Sequence, residues 1–284
     1  NKPVLKADLD LGTYPDAVAE INISGGTFVG SIDMAKNENV HLNITGGTFS
    51  VDPNAYCATG YAAAQNESGQ WVVGPKEGME ADTSISGNTA SAEVGGTFSG
   101  NEDPGQDNVG ASNGTLSIDA TVTGGDTAVT KTEVSIGNEA LTSVSGAASV
   151  NSVALKTNVA DLTVDKAAWN AITNNASGAR VELVIEEKAG TDSAPLTYTV
   201  TAKANGKDVY GADNAAGSIK ISVAYAGAVE PKVYYVGPNG LEDMKAELKD
   251  GILSWTAKHF SDYVVISGEK KILVKESDGS LEYY

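Results

Sequence analysis

The tetrapeptide Gly-Gly-Thr-Phe occurs three times in the first hundred residues, ending at Phe28, Phe49 and Phe98. The first two copies share a longer frame, residues 21–28 and 42–49, with an offset of 21 residues (49 − 28). A fixed period near 20 residues is typical of stacked coils, none of which buries its apolar face alone. The apolar–polar–apolar run before each Gly-Gly predicts a half-buried strand, and Gly-Gly permits a tight bend after it.

We therefore expect a short parallel β-solenoid in which Phe28 and Phe49 stack inside successive coils, with the third copy as a looser coil. A three-stranded meander that uses the same Gly-Gly bends is the alternative. Between the second and third copies, runs beginning at Tyr61 and Trp71 predict two short strands around a polar loop. These strands are expected to cap the open end of the solenoid, where an exposed edge would otherwise pair with another chain.

A different repeat follows in the second half of the chain. Residues 132–144 resemble residues 160–172, and matched positions such as Val134 and Leu162 differ by 28 (162 − 134). Each unit predicts a strand, a short helix and a second strand, with Asn138 and Asp165 as the helix N-caps. The later strands, including a hairpin at Asn205-Gly206, follow the pattern of a β-sandwich.

These patterns predict an all-β protein: a short right-handed parallel β-solenoid followed by a β-sandwich-like domain with an internal strand–short helix–strand duplication. The polar stretch 101–108 predicts a linker. We expect a GGTF-repeat solenoid with its Tyr/Trp cap over residues 1–105 and a β-sandwich-like domain over residues 106–268. Residues 269–284 are expected to form a terminal hairpin or to begin a further module.

The charge balance narrows the range of partners. The formal net charge is −18, and Arg180 is the only arginine. Nucleic acids and anionic membranes need basic surfaces, so neither is an expected partner. No apolar run approaches the roughly 20 residues of a membrane span, which argues against direct membrane insertion. The chain begins at Asn1 and holds a single cysteine, so we expect an excised piece of a longer multi-domain chain without internal disulfides.

The residue types that support catalysis occur without the partners they need. His41 and His259 lie in no metal-ligand pattern. Residues 110–114 match Gly-x-Ser-x-Gly, but a polar linker precedes them and a strand follows, which favours a turn over a nucleophile elbow. Cys57 has no basic neighbour in the sequence that would lower its pKa. Asp8 and Asp10 could share a cation, but they lack a calcium-loop pattern. We therefore predict no catalytic residue, metal or cofactor.

Three aromatic residues of the cap segment, Tyr56, Tyr61 and Trp71, are the candidate ligand-binding residues. Their rings could form a platform for stacking against sugar rings. The alternative is that they pack the cap, as large aromatic side chains usually do.

The C-terminal region resembles the β-rich modules of large surface proteins from Gram-positive gut bacteria. The resemblance rests on residues 219–223, on residues 233–236 with their Tyr-Tyr pair, and on residues 251–264, which contain His-Phe-Ser-Asp-Tyr-Val. Residues 52–73 are similar to a motif that follows GGTF coils in such proteins. The resemblance implies secretion and association with the cell wall. It implies no activity, because no catalytic residues accompany these motifs.

The sequence thus favours a non-enzymatic, extracellular structural or adhesin-like segment of a bacterial cell-surface protein. Host or dietary glycans, or surface proteins, are the partners that such a segment would meet. A carbohydrate-binding module that uses the aromatic platform is one alternative. A polysaccharide-active β-solenoid enzyme is another, and it would need a cleft lined by two carboxylates.

Overall fold

A computed structural model describes residues 4–5, 9–10, 19–33, 40–100, 102, 107–125, 127–192, 194–227, 230–237, 240–267, 272–274 and 281–283. Strands account for 55% of the structure and helices for 10%, so the fold is mostly β, as predicted. No helix in the described part of the chain is both long and apolar enough to cross a membrane.

The first hundred residues contain short strands and a 3-10 turn at Asn54–Tyr56. In chain order the strands are β1 (Val4–Leu5), β2 (Leu9–Asp10), β3 (Ala19–Phe28), β4 (Ile32–Asp33), β5 (Val40–Phe49), β6 (Tyr61–Gln65), β7 (Trp71–Pro75), β8 (Gly78–Ser86) and β9 (Thr89–Thr97). The next elements are β10 (Val109–Ser112), β11 (Thr115–Asp119), β12 (Lys131–Ile136), α1 (Asn138–Gly146), β13 (Ser152–Lys156), β14 (Asp161–Asp165), α2 (Lys166–Ala176) and β15 (Val181–Lys188). The remaining strands are β16 (Leu196–Ala204), β17 (Lys207–Asp208), β18 (Ile219–Ala224), β19 (Pro231–Gly237), β20 (Gly240–Asp243), β21 (Glu247–Lys249), β22 (Ile252–Ala257), β23 (Asp262–Ser267), β24 (Ile272–Val274) and β25 (Leu281–Tyr283).

The 21-residue period is the register of a parallel ladder. A five-stranded sheet has the order β1-β3-β5-β7-β6, and β1, β3 and β5 are parallel. Ile21 pairs with Leu42 and Phe28 with Phe49. The two phenyl rings stack at a centroid distance of 4.8 Å and an interplanar angle of 7°, which confirms the predicted stacking. Strands β2 and β4 form a second parallel pair.

A small apolar cluster lies under this sheet. Its buried members alternate along β3, β5 and β7 and are Ile23, Leu42, Ile44, Phe49 and Val73. Alternation puts the polar residues of β3 and β5 on the opposite face of the ladder. The two predicted cap strands, β6 and β7, pair antiparallel, and β7 also pairs antiparallel with β5.

The third Gly-Gly-Thr-Phe does not stack on the first two. Its strand, β9, pairs antiparallel with β8 and parallel with β12, with Val94 opposite Ile136. Strand β8 reaches β9 through the two-residue turn at Gly87-Asn88, so a local antiparallel partner is available to the third copy. Residues 78–97 therefore belong to the same sheet as residues 131–136, and Val94 lies in the main core. The boundary between residues 105 and 106 stays a prediction.

Two large sheets share the main hydrophobic core. One has the order β10-β11-β13-β14-β18-β22-β21, and the other has the order β20-β19-β23-β16-β15-β12-β9-β8 with β17 attached to β16. Neither sheet closes on itself. Trp255 of the first sheet contacts Tyr198 and Tyr263 of the second, with ring centroids 6.2 and 5.5 Å apart. The hairpin predicted at Asn205-Gly206 is confirmed, since β16 and β17 pair across it.

The 28-residue duplication appears in the strand pairing. In the nine-stranded sheet Ile136 of β12 pairs with Val181 of β15. In the seven-stranded sheet Val164 of β14 pairs with Val153 of β13. Adding 28 to Ile136 gives position 164, and subtracting 28 from Val181 gives position 153. The two units therefore exchange places under a local two-fold relation, each contributing one strand to each sheet.

The two helices meet near this local two-fold axis. The indole Nε1–H of Trp169 donates to the carbonyl of Leu141 at 3.1 Å, and these are matched positions of the repeat. Asp165 is the N-cap of α2, and its Oδ1 accepts from the Ala168 N–H at 2.8 Å, as predicted. The N-cap prediction for Asn138 is wrong: Gly137 occupies that position in α1 and offers no side chain. Gly137 and Asp165 are matched positions of the repeat (165 − 137 = 28), so the two helices begin at the same point of their units.

Candidate functional site

The three aromatic residues predicted as a platform all lie on the five-stranded part of the molecule. Tyr56, Tyr61 and Trp71 are half-buried and pack against the cluster around Val73. In the β6–β7 hairpin Tyr61 pairs with Pro75, whereas Trp71 pairs with Gln65. The two residues are thus four positions apart along the hairpin, about 13 Å at a rise of about 3.3 Å per residue.

The direction of these side chains follows from alternation. Trp71 and Tyr61 occupy the same face of the hairpin as Val73, which is buried, while Val72 on the other face is 41% exposed. No two of the three rings contact one another in the part of the chain that the structure describes. Packing on the core is therefore the role that the contacts describe, and sugar stacking at these residues stays a prediction.

Tyr61 nevertheless reaches a cleft that the sequence patterns do not indicate. The cleft has a volume of about 370 Å³. It lies between the polar face of the β3–β5 ladder and the part of the chain formed by the two large sheets and the helices, here called the main body. This size falls in the range of about 300–1,000 Å³ that is typical of ligand pockets. Its lining comes from both sides: Glu20, Asn22, Asn43, Thr45, Ala58, Thr59, Tyr61, Glu93, Val94, Gly95, Gly137, Asn138, Glu139, Gly178 and Arg180.

Burial and the carboxylate of Glu139 raise the pKa of the Tyr61 hydroxyl. Burial raises the pKa of Tyr61 to about 12, and the hydrogen bond and negative charge of Glu139 add to the rise, while Arg180 opposes it. The phenol is therefore neutral at neutral pH, with its hydroxyl near the carboxylate of Glu139. Glu139 belongs to the first turn of α1, so the two residues lie on opposite sides of the cleft.

The guanidinium of Arg180 is the one positive group in the lining, and it lies between two carboxylates. Its Nη2 is 3.8 Å from Glu93 Oε1, and its Nε is 3.5 Å from Glu182 Oε1. Glu182 also accepts from the Ser135 hydroxyl at 3.0 Å. Both ion pairs are long and the arginine is 57% exposed, so the pairs orient the guanidinium without using all its donors.

The opposite wall is formed by polar side chains of the ladder. Asn22 and Asn43 are opposite each other in the parallel register, one from each of the two matched repeats. The Asn43 side-chain amide donates to Glu20 Oε1 at 3.1 Å. At the base of the cleft the Thr59 hydroxyl donates to Asp82 Oδ2 at 3.0 Å.

Cys57, residues 110–114 and His259, which were the candidates for catalysis, have surroundings that fit a structural role. Burial, together with the Asp52 charge, raises the pKa of the Cys57 thiol, so the reactive thiolate is disfavoured. Residues 110–114 form the tight turn between β10 and β11, with Asn113 and Gly114 at positive φ, and not a nucleophile elbow. The His259 ring packs edge-on against Tyr235 at 4.7 Å. Asp8 lies outside the described residues, as does the side chain of Asp10.

No group of three or more histidine, cysteine, aspartate or glutamate side chains within the described ranges is arranged to hold a metal ion. Comparisons of the chain with protein-family models, with curated proteins and with solved structures found no match.

Sequence reasoning reached one residue of the cleft, Tyr61, and missed its charged and amide side chains. The lining spans residues 20–180 and comes from strands that pair only through long-range contacts. Two signals were present in the sequence. Arg180 is the only arginine of an acidic chain, and Asn22 and Asn43 hold the same position in the two matched repeats.

Proposed function

We propose that this chain is a non-enzymatic, structural or adhesin-like segment of a bacterial cell-surface protein, extracellular and associated with the cell wall. In this proposal the β1-β3-β5 ladder is a short right-handed β-solenoid, the two large sheets form a β-sandwich-like domain, and the chain is part of a longer multi-domain protein. A stalk holds other domains at a fixed distance from the cell wall. The ladder and the main body must therefore not move relative to each other.

The observation that carries the proposal is a junction of glycine backbones between the ladder and the main body. A Cβ added to Gly60 would lie 2.0 Å from the Gly96 nitrogen, and one added to Gly95 would lie 2.6 Å from the Thr59 oxygen. Gly60 also has a positive φ of 79°, which favours glycine. The two backbones are therefore in direct contact, with no side chain between them.

Hydrogen bonds tie the same junction on both sides. The Gly60 N–H donates to Glu80 Oε1 at 2.8 Å, and the Gly60 carbonyl accepts from the Lys76 N–H at 2.8 Å. Glu80 also forms an ion pair with the Lys76 ammonium. Burial raises the pKa of Glu80, but the bonds from Lys76 and Gly60 outweigh it and lower the pKa below its usual value. The carboxylate is therefore ionised at neutral pH and holds the junction.

Rigidity is tested by residual dipolar couplings of backbone amides in solution. The proposal expects one common alignment tensor for the amides of β3–β5 and those of β14–β18. Two different tensors would mean that the parts reorient independently, and a stalk role would then be untenable.

Location is tested separately by immunofluorescence with antibodies against this chain on cells that produce the full-length protein. We expect labelling of intact cells, and loss of that labelling after brief treatment of the cells with an external protease. An antibody against a cytoplasmic protein is the control for cell integrity. Labelling that appears only after permeabilisation would contradict a surface location.

A further inference from the structure

We propose that the cleft between the ladder and the main body binds a neutral, hydroxyl-rich saccharide. The cleft is defined by Glu20, Asn22, Asn43, Tyr61, Glu93, Gly95, Gly137, Glu139, Gly178 and Arg180. The cleft shares Tyr61 with the predicted aromatic platform of Tyr56, Tyr61 and Trp71 but not the other two rings, and it does not depend on the stalk role.

The lining of the cleft offers both hydrogen-bond donors and hydrogen-bond acceptors. A sugar hydroxyl both donates and accepts, so a saccharide site must offer both kinds of group. The amides of Asn22 and Asn43 and the guanidinium of Arg180 donate, while the carboxylates of Glu93 and Glu139 accept. Asn22 is exposed where it lines the cleft, so its side-chain amide can be reached from solvent.

The charge of the cleft favours an uncharged ligand. The cleft lining holds three carboxylates, those of Glu20, Glu93 and Glu139, against the single guanidinium of Arg180. The chain as a whole carries a formal charge of −18. A uronate, sialate or phosphate would meet repulsion from both the lining and the surrounding field. An uncharged ligand avoids this repulsion and still uses the hydrogen-bonding groups.

The polar side chains of the walls have partners within the protein before any ligand arrives. Asn43 donates to Glu20, the Tyr61 hydroxyl is near the Glu139 carboxylate, and Arg180 lies between two carboxylates. Side chains that are restrained before binding lose little rotamer freedom when a ligand arrives. The cleft is therefore formed in the free protein and does not require the ladder to move.

Part of the wall has no side chains. Gly137 and Gly178 line the cleft, and glycine allows a ligand to approach the backbone closely. The half-buried Tyr61 ring supplies an apolar surface beside them. This combination of bare backbone, one ring and planar polar groups suits the alternating apolar and hydroxyl surfaces of a pyranose.

The test is a glycan array that carries neutral and acidic oligosaccharides, probed with the whole chain. We expect binding to at least one neutral glycan. Arg180→Ala should raise the Kd for that glycan by about 10–100-fold, because a hydrogen bond to a charged group contributes roughly 1.5–3 kcal/mol and 1.4 kcal/mol is tenfold. Lys156→Ala is the matched control, since Lys156 is 62% exposed and also pairs with a carboxylate, that of Asp119. Its Kd should equal that of the wild type.

A second measurement locates the ligand without a substitution. Titration of the bound glycan should shift the amide resonances of Gly95, Gly137 and Gly178 and leave that of Gly251 unchanged. Thermal unfolding of Arg180→Ala should match the wild type, which separates lost binding from lost folding. The proposal is overturned if no neutral glycan binds, if only acidic glycans bind, or if Arg180→Ala binds with wild-type affinity.

Discussion

The glycine junction yields a sharp prediction because the chain contains its own control. Gly60 and Gly69 both have positive φ, 79° and 74°, so a Cβ at either position strains the backbone similarly. They differ in their surroundings. A Cβ at Gly60 meets the Gly96 nitrogen at 2.0 Å and the Gly95 carbonyl carbon at 2.5 Å, whereas a Cβ at Gly69 meets nothing within 4 Å.

The magnitudes follow from these two terms. The left-handed backbone costs about 1–2 kcal/mol for alanine, and this is the whole expected effect of Gly69→Ala. Overpacking adds about 1–3 kcal/mol, since the atoms in contact with Gly60 belong to the backbone and cannot rotate away. Gly60→Ala should therefore lower the free energy of unfolding by about 2–5 kcal/mol in total. That is a large part of the roughly 5–15 kcal/mol that stabilises most domains.

Urea unfolding followed by circular dichroism measures this difference. The midpoint for Gly60→Ala should fall well below that for Gly69→Ala, while both keep the wild-type slope with denaturant. Gly95→Ala isolates the contact term, because Gly95 has no positive φ and its Cβ would lie 2.6 Å from the Thr59 oxygen. If Gly60→Ala and Gly69→Ala agree within about 0.5 kcal/mol, the backbones do not touch as described and the rigid junction is refuted.

Three further predictions concern the ring stack of the ladder, the lysine that caps the end of α1, and the buried tyrosines. Phe49→Ala should lower the free energy of unfolding by about 3–5 kcal/mol, because the ring is 1% exposed and stacked on Phe28. Phe28→Ala should lower it less, since Phe28 is only half-buried. Equal urea midpoints for the two variants would contradict this. Lys166→Met should cost about 1–3 kcal/mol, since the ammonium donates to the carbonyls of Val144 at 2.5 Å and Ala147 at 2.9 Å at the end of α1; an unchanged melting temperature would argue against this capping role. Burial raises the pKa values of Tyr61 and Tyr210 from the ordinary 10 to about 12, so the unfolded chain ionises first and stability should fall as pH rises from 10 to 12. Ultraviolet titration of the tyrosines checks this, and ionisation of all 11 near pH 10 would disprove it.

Local regularities were predictable from the sequence because a repeat dictates its own register. The 21-residue offset places Phe28 beside Phe49, and the 28-residue offset identifies two strand–helix–strand units. The Asp165 N-cap and the Asn205-Gly206 turn also follow from chemistry within a few residues. In each of these cases the interaction that decides the structure is encoded in neighbouring or repeated positions.

The cleft was not predictable in the same way, since its lining depends on which distant strands pair. Glu20 and Arg180 are far apart in the sequence and line the same cleft only because β9 pairs with β12 and α1 packs against β9. Nothing in residues 89–97 alone selects β12 as the parallel partner. The failed N-cap prediction for Asn138 has a different cause, because the 28-residue offset matches Asp165 with Gly137 and not with Asn138, so the repeat itself indicates Gly137 as the first residue before α1.

The third Gly-Gly-Thr-Phe explains why one motif gives two structures here. In the second copy a Cβ at Gly46 would lie 2.6 Å from the Ser24 oxygen of the strand alongside, so glycine there allows the parallel ladder to close. In the third copy a Cβ at Gly95 would lie 2.7 Å from the Gly60 Cα, and a Cβ at Gly96 would lie 2.1 Å from the Gly78 oxygen. Both arrangements require a position without a side chain, and glycine meets this requirement whichever strand packs against it. The motif therefore specifies a close approach, while the surrounding strands decide whether it extends the ladder or joins the ladder to the main body.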